Sequence, residues 1–213
     1  MSDYLTIEKD NIRIKIHLRN LTLVLIGSII IADSLVILSD SHSREAVDII
    51  VLDATGAIAL GLGILVIYRH KLYGVYGKSF FCLTIGVLLW LVADITVSYY
   101  YFILLIKEVP PPVSFADVFW LAGYVFFALH LFITSKFMRK IINVKVVVVT
   151  SLASAIFVSY ILTAHLPLIS SQFARHNYLV FAVNVSYPIA DVILIVPAVT
   201  IVVASRLDYK HSI

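Results

Sequence analysis

The stretch SFFCLTIGVLLWLVADITVSYYYFILLI, residues 79–106, decides the fold class. It is longer than the roughly 20 apolar residues with which a helix crosses a bilayer. Its only charged residue is Asp94. The stretch therefore predicts a membrane-spanning helix, and Asp94 is the residue in it that needs an explanation, because an ionised carboxylate is costly in hydrocarbon.

Further apolar stretches flank it at residues 21–38, 47–68, 115–135, 146–165 and 178–205. The chain is 61% hydrophobic and 14% charged, and its mean hydropathy is +1.01, which is outside the range of soluble domains. We therefore predict an all-α protein, a polytopic membrane bundle of about six transmembrane helices over residues 21–205. Residues 1–20 form a basic segment too polar for a cleavable signal, and residues 206–213 form a short tail.

Lysine and arginine are unevenly divided between the two sides of these spans. Of the 16 basic residues, 13 lie in the two termini and in alternate loops, and the exceptions are Arg44, Lys107 and Arg175. The positive-inside rule then predicts that both termini are cytoplasmic, in the plasma membrane. The net charge of +3 reflects this asymmetry, and no nucleic-acid partner is expected.

Five aspartates lie inside apolar stretches that contain no lysine or arginine: Asp33, Asp53, Asp94, Asp117 and Asp191. With cytoplasmic termini, the first, third and fifth spans run outward and the others run inward. All five aspartates are then expected in the outer half of the membrane. Such residues usually face a bundle interior, a water-filled cavity or a bound cation.

Helical spacing groups these acids with aromatic and small residues. Asp53 shares a face of the second span with Ala57 and Gly61, a small-residue seam expected to pack against protein. The other polar faces are Gly86, Trp90, Asp94, Ser98 and Tyr101 in the third span, Asp117, Trp120 and Tyr124 in the fourth, and Asn184, Tyr187 and Asp191 in the sixth. Together they predict an outward-opening pocket lined by carboxylates, tyrosine hydroxyls and tryptophan edges.

Structural roles compete with a binding role for three of these acids. Ser114 and Asp117 have the spacing of a capping box at a helix start. Asp191 lies three residues after Pro188, where a helix restart would place its carboxylate at a positive helix terminus. Asp33 is expected to be solvated near the outer interface. Asp53 and Asp94 lie deepest and are the principal candidates, although hydrogen bonding alone would also explain them.

A resemblance appears at residues 112–124, where PVSFADVFWLAGY is similar to a P-x-S-x-A-D-x-x-x-L-x-G-Y stretch. That stretch occurs in the multi-pass membrane regions that precede GGDEF and EAL domains in bacterial cyclic-di-GMP signalling proteins. LWLVAD at 89–94 and SYPIADVIL at 186–194 resemble further parts of the same regions, in matching order. The resemblance implies a sensory or ligand-responsive membrane module. No output domain follows the last span here, so neither cyclase nor phosphodiesterase activity is implied.

The leading hypothesis is a sensory or accessory membrane module whose outer pocket binds a cation, a proton or a small polar ligand. Asp53 and Asp94 would be its principal groups, and the lining residues would be Asp33, Asp117, Asp191, Trp90, Tyr124 and Tyr187. Signalling would pass through basic cytoplasmic loops to a partner protein in the membrane or cytoplasm. Two alternatives stay open: a small proton- or cation-coupled transporter, and a structural subunit of a larger membrane complex.

Other chemical signals in the sequence are weak. The motifs H-E-x-x-H and G-x-S-x-G and the phosphate-binding loop do not occur, so an enzyme is not favoured. His42, His165 and His176 fall on the outer side with the acids, which leaves a metal site open. His130 is expected to be packed or solvated. No cofactor is indicated.

Overall fold

The computed structural model describes residues 27–28, 30–40, 43–106, 113–137, 144, 147–157, 159–160, 163 and 177–211. All regular secondary structure in these residues is helical. The helices are α1 at 30–38, α2 at Arg44–His70, α3 at Gly74–Phe102, α4 at Phe115–Phe137, α5 at Val147–Phe157 and α6 at Tyr178–His211.

Four of these helices, α2, α3, α4 and α6, are long and apolar enough to cross a membrane. This finding confirms a helical membrane protein. The number of six spans and the direction of the chain stay predictions, because parts of the first and fifth spans lie outside the described residues and neither has a described helix of 18 residues. The loop histidines His42, His165 and His176 also lie outside the described residues.

The third span begins and ends earlier than its hydropathy suggests. α3 starts at Gly74, whose φ of 76° is readily adopted only by glycine and lets the chain turn directly after α2. The helix ends at Phe102, and Leu105, with a φ of 52°, turns the chain away. Residues 103–106 are therefore apolar without being part of the helix. Hydropathy alone does not distinguish an apolar loop from a helical turn.

The chain divides into two compact units, Met1–Val51 and Leu52–Ile213. In the first unit, the Arg44 guanidinium donates a hydrogen bond to the carbonyl of Ile37 at 3.1 Å, near the end of α1. A cation is favourable there, because the last carbonyls of a helix carry partial negative charge. The side chain of Asp33 in this unit is exposed.

In the second unit, α3 and α4 pack closely through glycine and alanine. A Cβ atom on Gly123 would lie 2.3 Å from the Trp90 ring, and one on Gly86 would lie 2.4 Å from the Phe127 ring. Ala93 and Ala116 are fully buried between the same helices. Small residues allow this approach, which is how helices pack in membranes without a hydrophobic driving force.

α2 approaches α3 through a different set of small residues from the one expected. Gly56 faces Leu91, and a Cβ on Gly63 would lie 2.6 Å from the Thr84 hydroxyl. Apart from the nearby backbone of α2 itself, no atom of the described residues lies within 4 Å of the Cβ position of Gly61, and Ala57 is exposed. The pair Gly56 and Gly63 and the pair Ala57 and Gly61 lie on either side of Asp53 on the surface of α2. The position of Asp53 alone therefore did not indicate which pair packs against α3. Among the described residues, the predicted Ala57 and Gly61 seam is therefore not the face by which α2 packs on α3.

α6 continues without interruption through Pro188 and Pro197. The restart expected at Pro188 does not occur, so Asp191 lies inside a helix instead of at a helix N-terminus. Neighbouring helices can compensate for the hydrogen bonds that proline removes from a membrane helix. The favourable helix dipole is thus not the explanation for Asp191.

We expect Gly123→Ala to lower stability by about 1–3 kcal/mol, because the new methyl group would overlap the Trp90 ring and force it to move. Gly61→Ala is the matched control, since its methyl group meets open space and alanine favours the helix by up to about 1 kcal/mol. Thermal unfolding of the detergent-solubilised variants measures both effects. Equal effects of the two changes would contradict the close packing of α3 on α4.

Candidate functional site

The Asp94 carboxylate joins α3 to α4. Its Oδ1 accepts a hydrogen bond from the Trp120 indole Nε1–H at 3.0 Å. The Trp90 indole Nε1–H, one turn before Asp94 on α3, donates in turn to the backbone carbonyl of Trp120 at 3.1 Å. Two tryptophan donors therefore link the same pair of helices, and one of them ends on a carboxylate.

Asp117 has two roles at the start of α4. Its Oδ2 accepts the backbone N–H of Ser114 at 2.7 Å, which confirms the expected capping interaction. Its Oδ1 accepts the Tyr187 hydroxyl of α6 at 2.6 Å. The carboxylate thus caps α4 and also fixes α6 to it. Asp117 is buried, with 8% of its surface exposed, so both oxygens need these donors.

A second tyrosine–aspartate bond joins α4 and α6, and here the acceptor is Asp191 of α6. The Tyr124 hydroxyl of α4 donates to its Oδ1 at 2.6 Å. The Tyr124 and Tyr187 rings lie 6.2 Å apart at an angle of 63°, an edge-to-face contact that is favourable for aromatic pairs. Each helix therefore supplies one tyrosine and one aspartate to the α4 and α6 contact.

Asp53 of α2 reaches α3 through Ser98. The Ser98 hydroxyl lies 2.5 Å from its Oδ2 and donates a hydrogen bond to it. The other oxygen, Oδ1, is buried and has no hydrogen-bond partner among the described residues. Since buried polar atoms are rarely left unpaired, this oxygen distinguishes Asp53 from the other three acids.

These interactions form an acid–aromatic network, defined here as Asp53, Asp94, Asp117 and Asp191 with Ser98, Trp90, Trp120, Tyr124 and Tyr187. Within the described segments the side-chain donors to the four carboxylates are serine, tryptophan and tyrosine, with no lysine or arginine among them. In the same segments no three His, Cys, Asp or Glu side chains are grouped to hold a metal ion.

The outward-opening pocket that helical spacing predicted stays a prediction, but the hydrogen bonds show which helices its residues join. The acids of the second, third, fourth and sixth spans all take part in contacts between helices, together with the predicted aromatic residues. Asp33 lies in the first compact unit, where its side chain is exposed. Whether these residues bind a ligand stays a prediction.

A second polar cluster was not predicted. Ser79 of α3 is almost fully buried, and its hydroxyl lies 2.8 Å from His130 Nδ1 and 2.8 Å from the Thr134 hydroxyl, both on α4. The His130 ring is thus packed and hydrogen-bonded. Helical spacing does relate His130 to Thr134, but only the three-dimensional contact of α3 with α4 brings in Ser79.

Comparison of the chain with protein-family models, with curated proteins and with solved structures finds no match. The resemblance to membrane regions of cyclic-di-GMP signalling proteins stays a prediction. A fold alone would not define a function in any case, because function depends on the chemistry of a site.

We expect Tyr187→Phe to destabilise the protein by about 1–3 kcal/mol, because it removes the donor to a buried oxygen of Asp117 and changes little else. Tyr68→Phe is the control, since the Tyr68 side chain is 85% exposed. Thermal unfolding in detergent compares the two variants. A Tyr187→Phe protein as stable as the Tyr68→Phe protein would show that the hydroxyl bond to Asp117 contributes nothing.

Proposed function

We propose that this membrane protein is a sensory or accessory module that responds to protons through its acid–aromatic network. It would lie in the plasma membrane with six spans and cytoplasmic termini, and the network would be in the outer half of the bilayer. The proposal rests on the network geometry, on the bias of basic residues between loops, and on the resemblance to membrane regions of signalling proteins.

The observation that carries the proposal is the buried Oδ1 of Asp53, which has no hydrogen-bond partner among the described residues. The same carboxylate accepts Ser98, which follows Asp94 by one turn of α3. Asp94 therefore lies on α3, and Asp53 of α2 bonds to the next turn of the same helix. No lysine or arginine of the described residues is among the side-chain donors to either carboxylate. We infer that the pair shares one proton, which would remove the repulsion between two like charges.

A proton explains this site better than a metal ion does. The described residues hold no cluster of three metal-ligating side chains, and three of the acids already accept strong internal hydrogen bonds from aromatic side chains. A divalent cation such as Ca²⁺ takes six to eight oxygen ligands. A proton needs only one carboxylate oxygen, and Oδ1 of Asp53, which no described residue bonds, would be available for it.

Proton binding at this pair would act on the contacts between helices. Asp53 holds α2 to α3 through one bond, and Asp94 holds α3 to α4 through another. A change of charge on either carboxylate changes the strength of the contact that this carboxylate makes, since hydrogen bonds to ionised acceptors are the stronger ones. The resulting shift of α2 would pass to the basic cytoplasmic loops and from there to a partner protein.

A second candidate is the structural subunit of a larger membrane complex. It is favoured by the complete internal pairing of Asp117, both oxygens of which have donors from the protein itself. In that role all four acids would keep one protonation state and only hold helices together. The two candidates differ in the pH dependence of stability.

For a pair that holds one proton in the folded state and none when unfolded, stability falls as pH rises, because the folded state binds more protons. The free energy of unfolding then falls by about 1.4 kcal/mol per pH unit over the range in which only the folded protein holds the proton. We expect Asp53→Asn and Asp94→Asn to abolish this slope. The exposed Asp48→Asn variant should keep it. Thermal unfolding in detergent across a pH series measures all four proteins.

A wild-type slope that persists unchanged in Asp53→Asn and Asp94→Asn would assign proton binding to another group and overturn the proposal. A wild-type protein with no slope in the range where free aspartates are ionised would favour the structural subunit.

A further inference from the structure

The chain between the bodies of α2 and α3 carries three basic residues, called here the basic turn and defined as Arg69, Lys71 and Lys78. Arg69 lies in the last turn of α2, Lys71 follows this helix, and Lys78 lies in the second turn of α3. The side chains of all three are exposed. The surface at this end of the two helices is therefore strongly positive.

No acidic residue of α2 or α3 lies close enough to neutralise the basic turn. The nearest acids on these helices are Asp53, which is 16 residues before Arg69, and Asp94, which is 16 residues after Lys78. At about 1.5 Å per residue, each acid is roughly 24 Å away along its helix. This distance exceeds the Debye length of about 8 Å at physiological ionic strength. Within these two helices the positive charge of the basic turn is left for an anion from elsewhere.

The backbone of the basic turn packs against the start of α3. Lys71 has a φ of 55°, in the left-handed region that glycine and asparagine adopt more easily than lysine does. Its carbonyl lies against Gly77, where a Cβ atom would overlap it. Lysine thus occupies a position at which glycine would strain the backbone less. Such an unfavourable conformation indicates that the lysine side chain has a use.

Exposed tyrosines indicate that the basic turn lies at the level of the lipid headgroups. Tyr68 and Tyr73 flank Lys71 and are 85% and 83% exposed. Tyrosine is enriched at the membrane–water interface. Both α2 and α3 are long and apolar enough to cross a membrane, and each has one end here. The three cations can therefore reach phospholipid phosphates, which long basic side chains approach from helix ends.

The charge and the position of the basic turn together determine which ligand fits it. Lysine and arginine donate charge-assisted hydrogen bonds to phosphate oxygens. An acidic segment of another protein would match the charge as well, but it would have to displace lipid headgroups that already surround the turn. We propose that the basic turn binds the phosphate group of an anionic phospholipid. This inference is independent of the proton proposal, because it uses none of the aspartates.

The test compares two lipids added at equal mole fraction to the detergent-solubilised protein: phosphatidylglycerol, which is anionic, and phosphatidylcholine, which is zwitterionic. We expect phosphatidylglycerol to raise the unfolding temperature by at least about 2 °C more, because a ligand that binds only the folded state stabilises it. We call this difference the anionic increment. Inorganic phosphate added with phosphatidylcholine should not reproduce it, since a free anion is not held in the headgroup layer.

Lys71→Gly is the most direct variant, because glycine adopts a φ of 55° without strain and the change removes one cation. We expect it to lose at least roughly half of the anionic increment while unfolding no earlier than the wild type in phosphatidylcholine. Lys78→Gln should also reduce the increment. Leu105→Gly is the matched control, since Leu105 is uncharged and has a φ of 52° beyond the other end of α3. It should keep the whole increment.

Lys136→Gln distinguishes a local site from a general attraction of positive charge to the lipid. Lys136 of α4 is exposed and lies at the same end of the helices, because the Tyr76 and Phe137 rings are 4.9 Å apart. It is not part of the basic turn. We expect Lys136→Gln to reduce the anionic increment less than Lys71→Gly or Lys78→Gln does.

Equal effects of the two lipids on the wild type would overturn the proposal, in favour of an acidic protein segment as the partner. Lys71→Gly and Lys78→Gln proteins that keep as much of the increment as Leu105→Gly would overturn it too. Equal losses in Lys136→Gln and in the two variants of the basic turn would do the same, because the attraction would then be general. Inorganic phosphate that gives the whole increment would overturn the lipid in favour of a free anion.

Discussion

The constraint on which the structure depends is that a carboxylate inside a membrane must be hydrogen-bonded by the protein. Asp53, Asp94, Asp117 and Asp191 each accept a hydrogen bond from a helix other than their own, and only Asp53 has a buried oxygen without a donor among the described residues. The bond that removes the cost of burying the acid is therefore also a bond that holds two helices in register. Without a hydrophobic driving force between helices in lipid, such polar contacts are an important source of specific association.

Close packing makes these bonds geometrically possible. The indole of Trp90 lies over Gly123, and the space that a side chain would fill there is occupied by the tryptophan ring itself. This proximity lets Trp90 reach the carbonyl of Trp120 and Trp120 reach Asp94. The glycines and the acids are thus parts of one arrangement, because moving α3 and α4 apart would break the hydrogen bonds along with the van der Waals contact.

Much of this arrangement could be predicted from the sequence, for identifiable reasons. The periodicity of helices places Trp90, Asp94 and Ser98 on one face whatever their surroundings, and a carboxylate in an apolar span usually faces protein or a water-filled cavity. The capping of α4 by Asp117 follows from local spacing alone. These features depend on residues that are close in the chain.

The features that could not be predicted depend on how helices meet in space. Nothing in the sequence pairs Tyr187 with Asp117 in preference to Asp191, or Ser79 with His130. The choice between Gly56 and Gly61 as the packed residue of α2 is of the same kind, since both lie within a turn or two of Asp53. Pro188 was misleading because neighbouring helices let a membrane helix continue through proline.

In the proposed function, the Asp53 and Asp94 pair holds a proton inside the bundle. Infrared difference spectroscopy tests it directly, because a protonated carboxylic acid in a weakly polar environment gives a carbonyl stretching band that an ionised carboxylate lacks. We predict a band that titrates with pH in the wild type, persists in Asp48→Asn and is lost in Asp53→Asn. A wild-type spectrum without such a band at any pH at which the protein is folded and free aspartates are ionised would contradict the account.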